Sequence, residues 1–257
     1  SYECSSKNSL NWSAKNLIEF FNLIILSLLT VAFYMAWSMG ANDLANSMGV
    51  VVGSRALTFR QVCLIAGIMS FLGATFFGSR VTTTVAKGIV PISQVDPHLV
   101  TLGALAALFS AGTWLALAAY FCLPVSPTHS AVAGMLGFGL GSIMLNAIEL
   151  NDIKWIVLMK IIASWILSPI FGMSIAFLIF TLVRVLIIQR MKDVFKLERI
   201  FAFLMLGTSC YLAFSWGSND VANAVGPLVA GLGLIGIEVP IWILAFGGIG
   251  VVVGFYT

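Results

Sequence analysis

The chain has 257 residues, of which 60% are hydrophobic and 9% charged, with a formal charge of +3 and a mean hydropathy of +1.04. A soluble domain carries about 25% charged residues, so this is the composition of an integral membrane protein, and the small positive charge is a topology signal rather than a nucleic-acid surface. Four scattered cysteines, Cys4, Cys63, Cys122 and Cys210, three of them inside apolar runs, exclude a disulfide framework and a metal cluster.

Residues 1–16 read as an N-terminal extramembrane segment. Asn11-Trp12-Ser13 matches a glycosylation sequon, which we read as chance. No signal peptide is evident, because the first apolar run is long enough to span and lacks a cationic flank with a small-residue cleavage site. Crossing the roughly 30 Å hydrocarbon core takes about 20 apolar residues as a helix. Runs at 17–39, 61–78, 99–123, 153–188 and 200–216 reach or approach that length, and no strand-like alternation competes with them. The predicted class is all-α and polytopic.

The first run ends in GANDLANS, residues 40–47, where Asn42, Asp43 and Asn46 interrupt an otherwise oily helix. An Asp at bilayer depth costs about 2.5–3.5 kcal/mol on insertion scales. Positions 42 and 46 share a helical face, and Gly40, Gly49 and Gly53 allow an unwound or closely packed backbone. Carboxylate and amide oxygens, with carbonyls freed by a break, are hard ligands for a small cation, and amide N–H groups can meet an anion.

Between 79 and 98 a connection carries Arg80 and Lys87, for which a loop position is the plainer account than an anion partner. After the run 99–123 comes PVSPTHSAVAG, residues 124–134. Pro124 and Pro127 break the preceding helix, and Ser126, Thr128 and Ser130 then supply hydroxyls beside backbone N–H groups at a helix start, a ready anion site. Stretch 124–145, with 22 residues rich in glycine, reads either as a crossing or as a re-entrant hairpin. His129 reads equally as a packing and as a proton-sensing residue. Ser126, His129 and Asp43 would make a hydrolase only with a nucleophile-positioning device, and none is visible, so no enzyme is expected.

Shifting the chain by 177 residues lays YMAWSMGANDLANSMG over YLAFSWGSNDVANAVG with nine of sixteen positions identical, including Asn42/Asn219, Asp43/Asp220 and Asn46/Asn223. With about four residues inserted, Gly67 and Gly73 meet Gly248 and Gly254. The predicted organisation is a first transmembrane repeat at 17–188, a basic loop at 189–199 and the start of a second repeat at 200–257. Arg55 and Arg60 flank one loop; Arg184, Arg190, Lys192, Lys196 and Arg199 mark the other. Both are expected in the cytoplasm, with the N-terminus outside. The two NDxxN segments then run in opposite directions as an inverted-topology repeat, as in secondary transporters, whose sites lie near the midplane between repeats.

GANDLANS, GSNDVANA and PVSPTHS together resemble the paired signatures of the inorganic phosphate transporter (PiT) family, and FRQVCLIAG, VAKGIV and SWILSPIFG are similar to its members as well. The likeness covers nearly all of residues 30–257. It implies symport of inorganic phosphate with sodium or protons as coupling ions, no prosthetic group, and a multi-pass protein of the plasma or cell inner membrane. By position it implies Asn42, Asp43, Asn46, Asn219, Asp220 and Asn223 as cation and phosphate ligands, with Ser126 and Thr128 meeting phosphate from the hairpin tip; Ser130 joins them as a nearby hydroxyl. Pro127 stands where the family usually has Thr, and Ser70 where many members have Glu. A second P-V-S-T-T-H element would be expected near position 300, so the chain reads as a fragment. A sulfate or other oxyanion symporter on the same scaffold is the alternative, and an ion channel a further one. The expected partners are phosphate, the coupling cation and the lipid bilayer, without nucleic acid; the glycine-rich faces would allow a homodimer.

Overall fold

The computed structural model describes the backbone of residues 2–191, 193–234 and 238–257, and their side chains apart from 2–18, Phe20, Asn46, Ser47, Lys87 and Gly88. Among the described residues there are eight α-helices: α1 (Tyr2–Gly53), α2 (Phe59–Phe77), α3 (Ser79–Gly88), α4 (Pro97–Tyr120), α5 (Pro127–Met144), α6 (Trp155–Val183), α7 (Val194–Gly231) and α8 (Ile241–Gly254). Five helical stretches, Phe21–Ala45, Phe59–Phe77, Pro97–Tyr120, Trp155–Ile188 and Val194–Gly231, are long and apolar enough to cross a membrane. These match the five predicted runs. The all-helical reading therefore stands, and the sequon, with Lys87 and Lys192, lies outside the described side chains.

Helix starts follow local chemistry. Thr58 caps α2 through a reciprocal box with Gln61, the Gln61 N–H donating to the threonine hydroxyl at 3.4 Å and the Thr58 N–H to Gln61 Oε1 at 2.9 Å. Asp96, followed by Pro97, caps α4 by accepting from the His98 N–H at 2.9 Å; Asp193 does the same for α7.

Two expectations fail here. Residues 79–88 are helical rather than loop: α3 lies against α7, with Thr82 and Ala86 buried, and Val85 fills the space beside Gly226. Nor is there a break at either NDxxN segment, since α1 and α7 run through them as continuous helix. Packing, not unwinding, explains the glycine at the head of each motif. A methyl on Gly40 would strike the Val251 carbonyl of α8, and one on Gly217 would strike the Ser70 carbonyl of α2. Gly49 and Gly53 have nothing within 4 Å.

The close contacts come in matched pairs. Gly254 lies against the Trp37 carbonyl and Ala41 N–H of α1, and Gly73 against the Phe214 carbonyl and Ser218 N–H of α7. Shifted by 177, Trp37 and Ala41 become Phe214 and Ser218. So α1 packs on α8 and α7 on α2, far more extensively than α1 on α2 or α7 on α8. At the other end Ser54 donates to the Met205 sulfur at 3.1 Å, which puts the Arg55 loop beside the first turns of α7.

Helices α4 and α5 form an antiparallel hairpin: Phe138 covers Gly103 and Gly134 sits on the Ala107 backbone. By contrast, among the described residues α6 packs on the core through its first turns, by Leu158, Ile161 and Trp165, and is exposed from Ile166 to Leu182. Its apolar length suits contact with lipid.

Candidate functional site

Two polar helix segments and one hairpin tip meet inside this bundle. Asn42 and Asp43 come from α1, where Asn42 is 5% exposed and its Nδ2 donates to the Leu123 carbonyl at 3.2 Å. Leu123 belongs to the connector between α4 and α5. Asn219, Asp220 and Asn223 come from α7. Asn219 is exposed and donates to Asp220 Oδ1 at 3.3 Å, while Asn223 is 1% exposed and donates from Nδ2 to the Thr128 hydroxyl at 3.1 Å. Asp43 and Asp220 lie near enough for their charges to repel.

These contacts also fix direction. Asp43 lies near Asp220, whereas Ser54, further along α1, touches Met205, which precedes Asp220 in α7. The two helices therefore run antiparallel where they face each other.

The tip owes its shape to Ser126, which caps α5 by accepting from the His129 N–H at 3.4 Å, with buried Pro127 in the first helical position. Pro fits there because its missing N–H would have no helical acceptor. Ser130 donates to the Ser126 carbonyl at 3.0 Å. Of the three hydroxyls expected at the tip, only Thr128 points to the NDxxN residues. Ser126 and Ser130 line a groove of about 1170 Å³ between α4 and α5, together with Ser110, Trp114 and Phe138. The described residues thus bring together Asn42, Asp43, Thr128, Asn219, Asp220 and Asn223; the Asn46 side chain lies outside them.

The His129 ring stacks on Trp165, centroids 3.7 Å apart, while Ser126 accepts from the histidine backbone.

Two participants were missed from sequence. The Leu123 carbonyl is one, and a main-chain acceptor leaves no residue-type signal. The other is Pro227, which lies inside α7 four residues after Asn223 and so has no N–H to give the Asn223 carbonyl. That oxygen loses its usual helical donor within the cluster. Pro227 was visible in the sequence; its register against Asn223 was the signal.

The Phosphate transporter family model matches residues 39–257. The chain belongs to the phosphate transporter family. A protein of Pyrococcus furiosus named as a phosphate permease is 34% identical, over 91% of this chain and 73% of its own length. The chloroplastic inorganic phosphate transporter 2-1 of Arabidopsis thaliana is 29% identical, over 90% of this chain and 56% of its own. A solved structure described as the sodium-dependent phosphate transporter superposes with a TM-score of 0.81 at 34% identity, over 90% of this chain and 74% of that one. This family member is accordingly an integral membrane protein, and phosphate transport is the family's function.

Proposed function

We propose that the protein is a symporter of inorganic phosphate driven by sodium, with the NDxxN residues of α1 and α7 holding the cations and the α4–α5 tip meeting the anion. The observation that carries this is the position of Thr128, a hydroxyl at a helix start that accepts from Asn223 of one motif while the nearby Leu123 carbonyl binds Asn42 of the other. The sodium-dependent structural relative supports sodium over protons as the coupling ion.

The electrostatics make coupling obligatory. Each unit-charge repulsion between an anion and a carboxylate 4–6 Å away amounts to about 3–4 kcal/mol at an effective dielectric constant near 20. Phosphate beside Asp43 and Asp220 therefore needs compensating cations. Sodium bound to the carboxylates, the amide oxygens and the Asn223 carbonyl supplies that charge, so each ligand raises the affinity for the other. Asn42, Asn219 and Thr128 complete the proposed phosphate contacts, with Ser126 and Ser130 facing the α4–α5 groove instead; Asn46 and Asn223 complete those to sodium.

The antiparallel facing of α1 and α7 and their matched packing on α8 and α2 support an inverted repeat, in which one half rocks against the other. The α4–α5 tip ends at the motifs, which supports re-entry. A hairpin that enters and leaves on one side replaces two crossings with none, so both basic loops still reach the cytoplasm with the N-terminus outside. An oxyanion other than phosphate is favoured by one feature, the missing hydroxyl at Pro127; failure of sulfate to compete with labelled phosphate would dismiss it.

The test is uptake of labelled phosphate by the full-length protein in proteoliposomes with sodium and pH gradients varied independently. Wild type should respond to sodium, and Asp43→Asn should abolish sodium-driven uptake while the protein remains in the membrane. Uptake that survives Asp43→Asn would sink the assignment.

A further inference from the structure

We propose that Trp165 is a positioning residue for the oxyanion-binding turn, acting through His129; this rests on the reading that the turn at 126–130 meets the anion. Thr128 and His129 are successive residues with opposite duties. Thr128 bonds to Asn223, whereas the exposed His129 ring turns to α6 and lies over Trp165, centroids 3.7 Å apart and planes at 32°. The His129 N–H also closes the cap on Ser126. Whatever holds the His129 ring therefore holds the backbone that orients Ser126 and Thr128.

The location of Trp165 in α6 gives the stack its leverage. Leu158, Ile161 and Trp165 form the stripe by which α6 packs on the core, and the helix is exposed from Ile166 to Leu182. Pro169 stands four residues after Trp165 and has no N–H for its carbonyl. The attachment thus ends at Trp165, where the helix is weakened and able to bend. Tilting of the long apolar arm beyond Pro169 would reach the site through this aromatic pair.

Loss of a ring pair of this kind changes affinity about three- to tenfold. In full-length protein reconstituted in proteoliposomes, Trp165→Ala should raise the phosphate KM by that factor with maximal rate within twofold of wild type. Trp165→Phe should stay within twofold on both. His129→Ala should match Trp165→Ala, and the double variant should be no worse than either single one. An unchanged KM in Trp165→Ala, an additive double variant, or Trp165→Phe as impaired as Trp165→Ala would overturn the proposal. A spin label at Pro124→Cys, in protein with the native cysteines replaced, reads the turn without transport. Greater label mobility in Trp165→Ala than in Trp165→Phe supports the linkage, and equal mobility refutes it. If wild type moves no phosphate, the symporter reading fails, and the label still decides the role of Trp165.

Discussion

Replacing Thr128 with valine keeps the shape of the hairpin tip and removes one oxygen. That oxygen accepts from Asn223 Nδ2 at 3.1 Å. Asn223 is 1% exposed, so water cannot readily replace the lost acceptor. A buried amide deprived of its partner costs about 1–3 kcal/mol, and bonds between helices in membranes fall at the low end, at about 0.6–2 kcal/mol. Taking about 1–2 kcal/mol, the phosphate KM of Thr128→Val should rise about 5- to 30-fold. Thr128→Ser, which retains the hydroxyl, should stay within a few-fold of wild type. Sodium-driven uptake of labelled phosphate into proteoliposomes at saturating sodium measures this, with thermal unfolding in detergent as the control for folding. A Thr128→Val protein that folds normally and keeps its KM within twofold would refute the idea that this hydroxyl joins the hairpin to α7 at the site.

The glycines divide cleanly. Gly217→Ala would drive a methyl into the Ser70 backbone, which cannot turn aside, and should lower stability by about 1–3 kcal/mol, whereas Gly49→Ala meets nothing within 4 Å and should be neutral or stabilising by up to about 1 kcal/mol; thermal unfolding compares them. Pro227→Ala restores an N–H to the Asn223 carbonyl, so half-activation of uptake should require several-fold more sodium; an unaltered sodium curve would remove that carbonyl from the cation site.

Most of the cluster was legible because rare polar residues recur in oily surroundings. Asp43 and Asp220 stand at matching positions of a repeat, and a costly residue retained twice points to use. Runs of apolar residues likewise announced the spanning helices. What could not be read was whatever depends on register and contact. GANDLANS has the same letters whether its glycine frees a carbonyl or admits a neighbour, and only the Val251 carbonyl against Gly40 decides for the latter. Residues 79–88 looked like a loop because Arg80 and Lys87 flank a short polar stretch, yet Val85 and Ala86 serve as packing for α7. The hydroxyls at 126, 128 and 130 were equivalent in sequence, and helical rotation separates Thr128 from the other two.

The exchange of partners between α1 and α8 bears on how the chain matures. Helix α1 leaves the ribosome first, but the surface that fits Gly40 is made by Val251 and Gly254, roughly 200 residues later. At about 5–20 residues per second, that interval is on the order of 10–40 s. During it the small-residue face of α1 lies open to lipid or to other newly made helices. Helix α7, whose partner α2 precedes it, emerges with that surface already made. Birth order thus makes the first half the vulnerable one, and quality control of this protein should be most sensitive to changes at Gly40 and at the late-arriving residues that receive it.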